Sequence, residues 1–301
     1  MNEQDKNFAA WIGRSETVRD EIGAAPVRAL TATLDHPLVP VETGTALPPL
    51  WHWLYFLPLH RQSDIGPDGH ARRGGFMPPV PLPRRMWAGS QFEFRTPIRV
   101  GDRVSRRSTI ADVSTKEGRS GPARLRQGAP RGALQRRGRA GAGRVPRYRL
   151  PRSAPARRYR TQAAGRARRR PQPPWGPARG DGGLTWWRRE IVPDDVLLFR
   201  YSALAFNGHR IHYDRRYVTE VEGYPGLVVQ GPLIATLLMD LLCRQAPQAD
   251  VASFRFKAVR ATFDGRPMRL NGEPSADGKS VHLWAQDHEG WLTMDATATL
   301  R

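Results

Sequence analysis

The amino-acid sequence predicts an α+β protein in which an antiparallel sheet wraps around a long buried helix. Two observations lead to this prediction. The segment GPLIATLLMDLLCR at residues 231–244 is a long, mostly apolar stretch, as in a buried helix, and a series of strand-like segments follows it. The strand candidates lie around residues 253–263, 268–270, 280–286 and 291–300. The turn sequences ADGK and DHEG separate the later candidates, as expected for antiparallel hairpins.

The N-terminal half shows the opening elements of a second unit of this kind. Residues 8–22, FAAWIGRSETVRDEI, are predicted to form a helix, and residues 90–118 to form strands that break at Gly101 and Asp102. Prolines and a glycine pair predict a loop or extended connection at residues 54–83. A buried helix wrapped by an antiparallel sheet is the pattern of the hot-dog fold, so the chain is predicted to be a double hot-dog.

An arginine-rich segment interrupts the N-terminal unit. Residues 123–180 contain 18 arginines and no Asp, Glu or Lys, and they show no hydrophobic periodicity. The sequence therefore predicts three parts: an incomplete N-terminal domain at residues 1–122, a disordered segment at 123–183, and a C-terminal domain at 184–301.

The composition of this segment is also what a GC-rich gene yields when it is read out of frame. If one extra base entered the gene near Pro122, the shifted codons of residues 123–133 would permit LVFVKVRHEV. Those of residues 143–155 would permit VEYHDIVYREAP. The first string alternates as a strand does. The hypothesis is a compensated frameshift that ends between about Ala178 and Trp186.

The net charge of the chain is concentrated in the same segment. A formal charge of +20 and a pI near 11.3 would normally indicate a polyanionic partner. Outside residues 123–180, however, the chain holds 30 basic and 28 acidic residues, so it is nearly neutral. Nucleic-acid binding is therefore the weaker alternative, and no specific nucleic-acid partner is predicted.

The cysteine count and the N-terminal sequence indicate a cytoplasmic protein. Cys243 is the only cysteine, which excludes an internal disulfide framework and a cysteine-based zinc site. The N-terminus, MNEQDKNFAAWIG, carries charges where a secretory signal needs an apolar core. No apolar run approaches the roughly 18 residues of a membrane span. A soluble protein without membrane contact is expected.

Residues 201–214, YSALAFNGHRIHYD, place an asparagine and two histidines shortly before the long apolar helix. Together with residues 224–242, YPGLVVQGPLIATLLMDLL, they closely resemble the catalytic region of the MaoC-like hydratases and dehydratases. They are most similar to the subgroup with an N-terminal dehydratase-like domain, which includes mesaconyl-C4-CoA (3-methylfumaryl-CoA) hydratases and type 2 hydroxyacyl-thioester dehydratases. Residues 74–94 resemble the first domain of that subgroup, and no acid–base pair is predicted there.

The resemblance implies catalytic roles for His212, Asn207 and Gly231. An imidazole can both accept and donate a proton near neutral pH, as the addition of water to a double bond requires. Asn207 stands where the broad family has an aspartate, and a carboxamide orients water but cannot take its proton. Gly231 opens the apolar helix, where backbone amides can polarise the thioester oxygen.

The residues Tyr201, His209 and Arg210 are expected to contact the substrate. Each of them also has an ordinary structural interpretation. Tyr201 can fill the core, His209 can pack or cap the turn, and Arg210 can belong to the charged surface. No metal ion or cofactor is expected.

The implied activity is reversible hydration of an α,β-unsaturated acyl-CoA thioester, with mesaconyl-C4-CoA as the favoured substrate. The enzyme alternative is a 3-hydroxyacyl-thioester dehydratase of fatty-acid metabolism, which the same catalytic residues would serve. A non-catalytic remnant is a further alternative if the frameshift is a genuine lesion. The acyl-CoA thioester is the expected partner, and assembly into a homo-oligomer is left open.

Overall fold

The computed structural model describes residues 10–72, 75–76, 78, 89–118, 121–136 and 186–301. Within these residues the α-helices are α1 (Ala24–Thr33), α2 (Asp195–Leu204) and α3 (Gly231–Gln245). The strands are β1 (Ser15–Glu21), β2 (Gly89–Glu93), β3 (Arg103–Gly118), β4 (Gly121–Arg136), β5 (Trp187–Ile191), β6 (Val251–Ala258), β7 (Met268–Pro274), β8 (Ser280–Gln286) and β9 (Leu292–Leu300). Short 3-10 turns lie at Trp51–Leu54, Gln62–Asp64 and Arg210–His212, and a π-helical turn at Tyr217–Val221.

The central feature is a six-stranded antiparallel sheet against which α3 packs. Its strand order is β2-β6-β9-β8-β7-β5. Every residue of α3 from Leu233 to Leu242 is buried, and all of them are apolar except Thr236 and Asp240. This arrangement confirms the predicted buried helix and the sheet that follows it.

The hairpin turns of this sheet also follow the predicted positions. In the turn between β7 and β8, the carboxylate of Asp277 accepts a hydrogen bond from the backbone of Lys279, and Gly278 has a positive φ of 67°. In the next turn the carboxylate of Asp287 accepts from the backbone of Trp291, and Gly290 has a φ of 85°. Asp and Gly at such positions favour tight turns because Gly adopts positive φ without strain.

The prediction of a helix at residues 8–22 is wrong, because the regular secondary structure that this range contains is a strand. Residues 15–21 form β1, which pairs antiparallel with β3 from Ser15 with Thr109 to Glu21 with Arg103. Val18 and Ile22 are spaced four apart and so mimic one turn of a helix. The long-range pairing with β3 outweighs that weak local signal, and the first helix begins only at Ala24.

The arginine-rich segment contributes a strand where the sequence predicts none. Residues 121–136 form β4, which pairs with β3 from Val104 with Arg136 to Gly118 with Gly121. Strand pairing joins backbone N–H and C=O groups, so it can proceed without the alternating side chains on which the prediction rested. The prediction of disorder is therefore wrong for residues 123–136, and its remainder lies outside the described residues.

One strand of the N-terminal half pairs with a strand of the C-terminal half. Strands β1, β3 and β4 form a three-stranded sheet, but β2 pairs with β6 across Gly89 with Lys257 to Glu93 with Ser253. A strand from the predicted N-terminal domain thus forms one edge of the C-terminal sheet. The domain boundary near residue 122 stays a prediction.

A buried carboxylate on α3 joins the two halves of the chain. The side chain of Asp240 is only 3% exposed, and its oxygens lie 2.5 Å from Nε2 of His36, 2.7 Å from Nη1 of Arg189 and 2.9 Å from Nε of Arg244. Arg244 also donates through Nη2 to the carbonyl of Leu34 at 2.7 Å. We call these four side chains the Asp240 network.

A search for membrane-crossing helices gives a negative result for the described residues. None of their helices combines the length and the apolar character that a bilayer crossing needs.

Candidate active site

His212 lies in a short turn that the sequence places between two helices. Helix α2 begins at an N-cap where the carboxylate of Asp194 accepts from the backbone of Leu197 at 2.7 Å. The helix ends before Phe206, which has a left-handed φ of 48°. The chain then turns through residues 207–209 into the 3-10 turn that carries His212. This turn packs against the segment before α3, because Val228 donates its backbone N–H to Ile211 at 2.9 Å.

The hydrogen bond of His212 fixes its tautomer. Nδ1 of His212 lies 2.6 Å from the carbonyl oxygen of Val228, and a carbonyl oxygen can only accept. Nδ1 therefore carries the proton, and in the neutral ring Nε2 carries the lone pair. This assigns Nε2 of His212 as the atom able to accept a proton.

The surroundings of His212 keep it neutral. The residue is 8% exposed, and burial lowers the pKa of its imidazole from 6.5 to about 4. The hydrogen bond to Val228 raises that pKa, while the charge of His70 lowers it further. At neutral pH His212 is thus a neutral base, since its charged form is disfavoured by desolvation.

Asn207 shapes the turn that leads to His212. Its Oδ1 accepts the backbone N–H of His209 at 3.1 Å, and its own N–H donates to the carbonyl of Ser202 at 2.7 Å. A side chain that bonds the backbone two residues on is a typical turn-forming contact of Asn. The structure thus gives Asn207 a conformational role, and its predicted contact with water stays a prediction.

Gly231 is the first residue of α3, as the sequence predicts. It follows Gln230, whose fully buried amide donates to the carbonyl of Leu198 at 2.8 Å and to the hydroxyl of Ser202 at 2.9 Å. A Cβ at Gly231 would meet no atom within 4 Å, so close packing does not explain the glycine. Gly231 follows Val228, whose carbonyl bonds His212, by three residues in the chain.

Tyr201 lies inside the core between α2 and α3. It is 2% exposed, and burial raises the pKa of its hydroxyl far above the usual range, against the opposing effect of a hydrogen bond with Thr236. The hydroxyl therefore stays protonated, and its predicted contact with the substrate stays a prediction.

Arg210 is held by protein groups. Its Nε and Nη2 donate to Oδ2 of Asp214 at 2.9 and 2.7 Å, and its Nη1 donates to the carbonyl of Pro67 at 3.0 Å. The guanidinium also lies 4.1 Å from the ring centre of Tyr217. This side chain ties a loop of the N-terminal half to the turn of His212, which is a structural function. The predicted contact of Arg210 with substrate stays a prediction.

Two residues beside His209 were missed by the sequence analysis. Asp68 and His70, in a turn of the N-terminal half, face the segment of His209 and His212. Oδ2 of Asp68 lies 3.1 Å from Nδ1 of His70, and the ring centre of His70 lies 3.9 Å from that of His209. The ring centres of His209 and His212 are 5.3 Å apart. We call Asp68, His70 and His209 the histidine cluster. The sequence signal is an Asp and a His flanking a glycine in SDIGPDGH.

A close contact between two glycines brings the cluster together. A Cβ on Gly69, which has a φ of 86°, would lie 1.7 Å from the carbonyl oxygen of Gly208. The backbone N–H of Arg210 donates to the carbonyl of Asp68 at 2.9 Å beside this contact. Only glycine permits such an approach of two backbones.

The same cluster offers one ligand atom from each of its three residues. These atoms all lie within 4.8 Å of one another, so the cluster is the group of the described residues that could hold a metal ion. Its atoms already form hydrogen bonds and ring contacts with one another, which account for the arrangement without an ion.

Comparisons with known proteins show the family of this chain. The model of the type 2 hydroxyacyl-thioester dehydratase family matches residues 50–142 and 151–264. Mesaconyl-C4-CoA hydratase of Chloroflexus aurantiacus is 40% identical over 295 residues, which cover 98% of each chain. The mitochondrial type 2 hydroxyacyl-thioester dehydratase of Schizosaccharomyces pombe is 37% identical over 82 residues, which cover 27% of each chain.

A solved structure supports the fold. A MaoC-like dehydratase superposes with a TM-score of 0.68, covering 98% of this chain and 99% of its own, at 14% sequence identity. This agreement confirms the predicted hot-dog-like α+β fold. The family match also runs through residues 123–142 and resumes at 151, so the out-of-frame hypothesis for this segment is not supported.

Proposed function

Because the chain belongs to the type 2 hydroxyacyl-thioester dehydratases, within the MaoC-like hydratases, we propose that it hydrates mesaconyl-C4-CoA reversibly. The chain is a hydro-lyase of acyl-CoA thioesters. The observation that carries the choice of substrate is the 40% identity with a mesaconyl-C4-CoA hydratase along 98% of both chains. The observation that carries the chemistry is the neutral His212 with its proton fixed on Nδ1.

The proposed reaction uses His212 as both base and acid. Nε2 removes a proton from water, and the oxygen of that water bonds to the β-carbon of the double bond. The π electrons move toward the thioester oxygen, which gives an enolate. The imidazolium of His212 then returns its proton to the α-carbon, and the product is the saturated β-hydroxy thioester. Dehydration is the reverse of these steps, so the same neutral imidazole begins both directions.

Backbone groups and one amide assist this reaction in the proposal. The amides at the start of α3, near Gly231, face the developing charge on the thioester oxygen, where the positive end of the helix dipole stabilises it. Asn207 orients the attacking water through its amide. Tyr201 forms part of the wall that excludes bulk water from the reacting atoms.

A second candidate follows from the match to the S. pombe relative. In this alternative the chain dehydrates 3-hydroxyacyl thioesters of fatty-acid metabolism, with the same role for His212.

The cytoplasm is the compartment proposed for either reaction. A chain with a single cysteine is compatible with that reducing compartment.

Comparing two substrates tests the proposed function. We expect the purified full chain to hydrate mesaconyl-C4-CoA with a kcat/KM at least about tenfold above that for crotonyl-CoA, because one charge-assisted contact to the extra carboxylate contributes that much. The measurement is loss of the enoyl-thioester absorbance. A higher kcat/KM for crotonyl-CoA would favour the second candidate, and no hydration of either thioester would exclude both.

The pH dependence of the reaction tests the assignment of the base. Protonation of His212 removes the lone pair that accepts the proton of water, so kcat/KM should fall as the pH drops through the pKa of about 4. Between pH 7 and pH 5.5 the rate should stay nearly constant. Full recovery of activity on return to pH 7 serves as the control for unfolding. An acidic limb near 6.5, the ordinary value, would show that a different or more exposed group is the base.

A further inference from the structure

This inference rests on the proposed function, whose substrate carries a negative charge close to the reacting carbon. In mesaconyl-C4-CoA the free carboxylate is bonded to the β-carbon, the carbon that water attacks. The attacking oxygen lies about 3 Å from both Nε2 of His212 and the β-carbon, so the carboxylate must lie within roughly 7 Å of Nε2. A buried carboxylate at this place requires a donor or a cation.

Among the described residues, the histidine cluster is a polar group close enough to His212 to reach this distance. The ring centre of His209 lies 5.3 Å from that of His212 and 3.9 Å from that of His70. The guanidinium of Arg210 is turned to Asp214 and to the carbonyl of Pro67. The imidazoles are therefore better placed than Arg210 to meet the substrate.

The chemistry of His70 suits an anion. Its Nδ1 lies 3.1 Å from Oδ2 of Asp68, so this carboxylate holds the ring, and Nε2 is the ring nitrogen directed away from Asp68. Partial burial acts to raise the pKa of Asp68, but hydrogen bonds from the side chain and backbone of His70 lower it below its usual range. Asp68 thus stays charged beside His70.

We propose that His70 and His209 form the subsite that binds the free carboxylate of the substrate, with Asp68 as the positioning residue that holds His70. The subsite is completed by the N-terminal half of the chain through the contact of Gly69 with Gly208. The first domain therefore determines specificity for a dicarboxylic monothioester, while His212 in the second domain serves any enoyl thioester.

Two unreactive ligands isolate this subsite from catalysis. Succinyl-CoA carries a carboxylate on its β-carbon, and butyryl-CoA carries a methyl group there. Calorimetric titration of the full chain should show succinyl-CoA binding about tenfold or more tightly, the effect of one charge-assisted hydrogen bond. In His70→Gln this preference should fall to within about threefold, while the Kd of butyryl-CoA stays unchanged.

Matched variants distinguish a specificity role from a structural one. His60→Gln, at an exposed position of the same half, should retain the full preference. His209→Gln is the second variant, and it should lose the preference as well. Equal losses for both ligands in either cluster variant would show a merely structural role and overturn the proposal. Loss of the preference on treatment with EDTA, with recovery on adding zinc, would also overturn it, since a metal ion would then hold the carboxylate.

The outcome for this subsite is separable from the outcome for the proposed function. Binding of the two ligands needs no turnover. A wild-type chain that hydrates mesaconyl-C4-CoA but binds both ligands equally would retain the function and overturn the subsite. A chain that prefers succinyl-CoA through His70 but hydrates no dicarboxylic thioester would retain the subsite and reject the function.

Discussion

Replacing His212 by glutamine is expected to lower kcat for hydration of mesaconyl-C4-CoA by roughly 10²- to 10⁴-fold, the contribution of a positioned acid–base group. Glutamine is close to histidine in size and keeps an N–H donor for the carbonyl of Val228, on a nitrogen one atom farther along the side chain than Nδ1. The turn should therefore keep its conformation, while no atom remains that can take a proton from water. Steady-state kinetics of the full-length variant give the measurement.

The control for this variant is stability and binding. His212→Gln should unfold at nearly the wild-type temperature and bind butyryl-CoA with an unchanged Kd. His288→Gln, at an exposed histidine, should retain wild-type kcat. A His212→Gln variant with kcat within threefold of wild type would remove the histidine from the mechanism.

Replacing Asp240 by alanine is expected to reduce the free energy of unfolding by about 3–5 kcal/mol, the usual result of breaking a buried ion pair. The side chain of Asp240 is 3% exposed, and its removal leaves Arg189, Arg244 and His36 without their shared carboxylate. The uncompensated charges would lie beside the central helix, where water cannot solvate them fully. Urea denaturation at pH 7, followed by tryptophan fluorescence, measures the change.

An exposed ion pair provides the matched control. Glu220 bonds to Arg216 with both side chains mostly in water, at 62% and 86% exposure. Glu220→Ala should change the free energy of unfolding by less than about 1 kcal/mol. If Asp240→Ala changed stability as little as Glu220→Ala, the Asp240 network would contribute nothing to the joining of the two halves.

The sequence predicted well those elements whose signal is local and strong. The apolar run of α3 and the Asp- and Gly-containing turns at Asp277 and Asp287 appear where expected, because their side chains alone determine burial or turn geometry. Elements decided by distant partners were predicted poorly. The sequence predicts a helix where β1 lies and disorder where β4 lies, and both strands depend on pairing with β3.

The residues of the candidate site divide in the same way into those with a local sequence signal and those without one. The turn from Asn207 to His212 could be recognised because its residues are neighbours in the sequence. Asp68 and His70 could not be recognised, since the turn that carries them is far from the catalytic turn in the sequence. The contact between the two turns joins Pro67 and Arg210, which are 143 positions apart. A short DGH sequence gives no indication of the surface against which it packs.

The pairing of β2 with β6 has a consequence for synthesis of the chain. Gly89 pairs with Lys257, so the partner of β2 leaves the ribosome 168 residues later, a delay of roughly 8–34 s at the usual elongation rates. Throughout that interval the backbone groups of β2 that will bind β6 face water or other chains. Among the described strands β2 thus waits longest for its partner, and the period before residue 258 emerges is when its edge is most prone to aggregate.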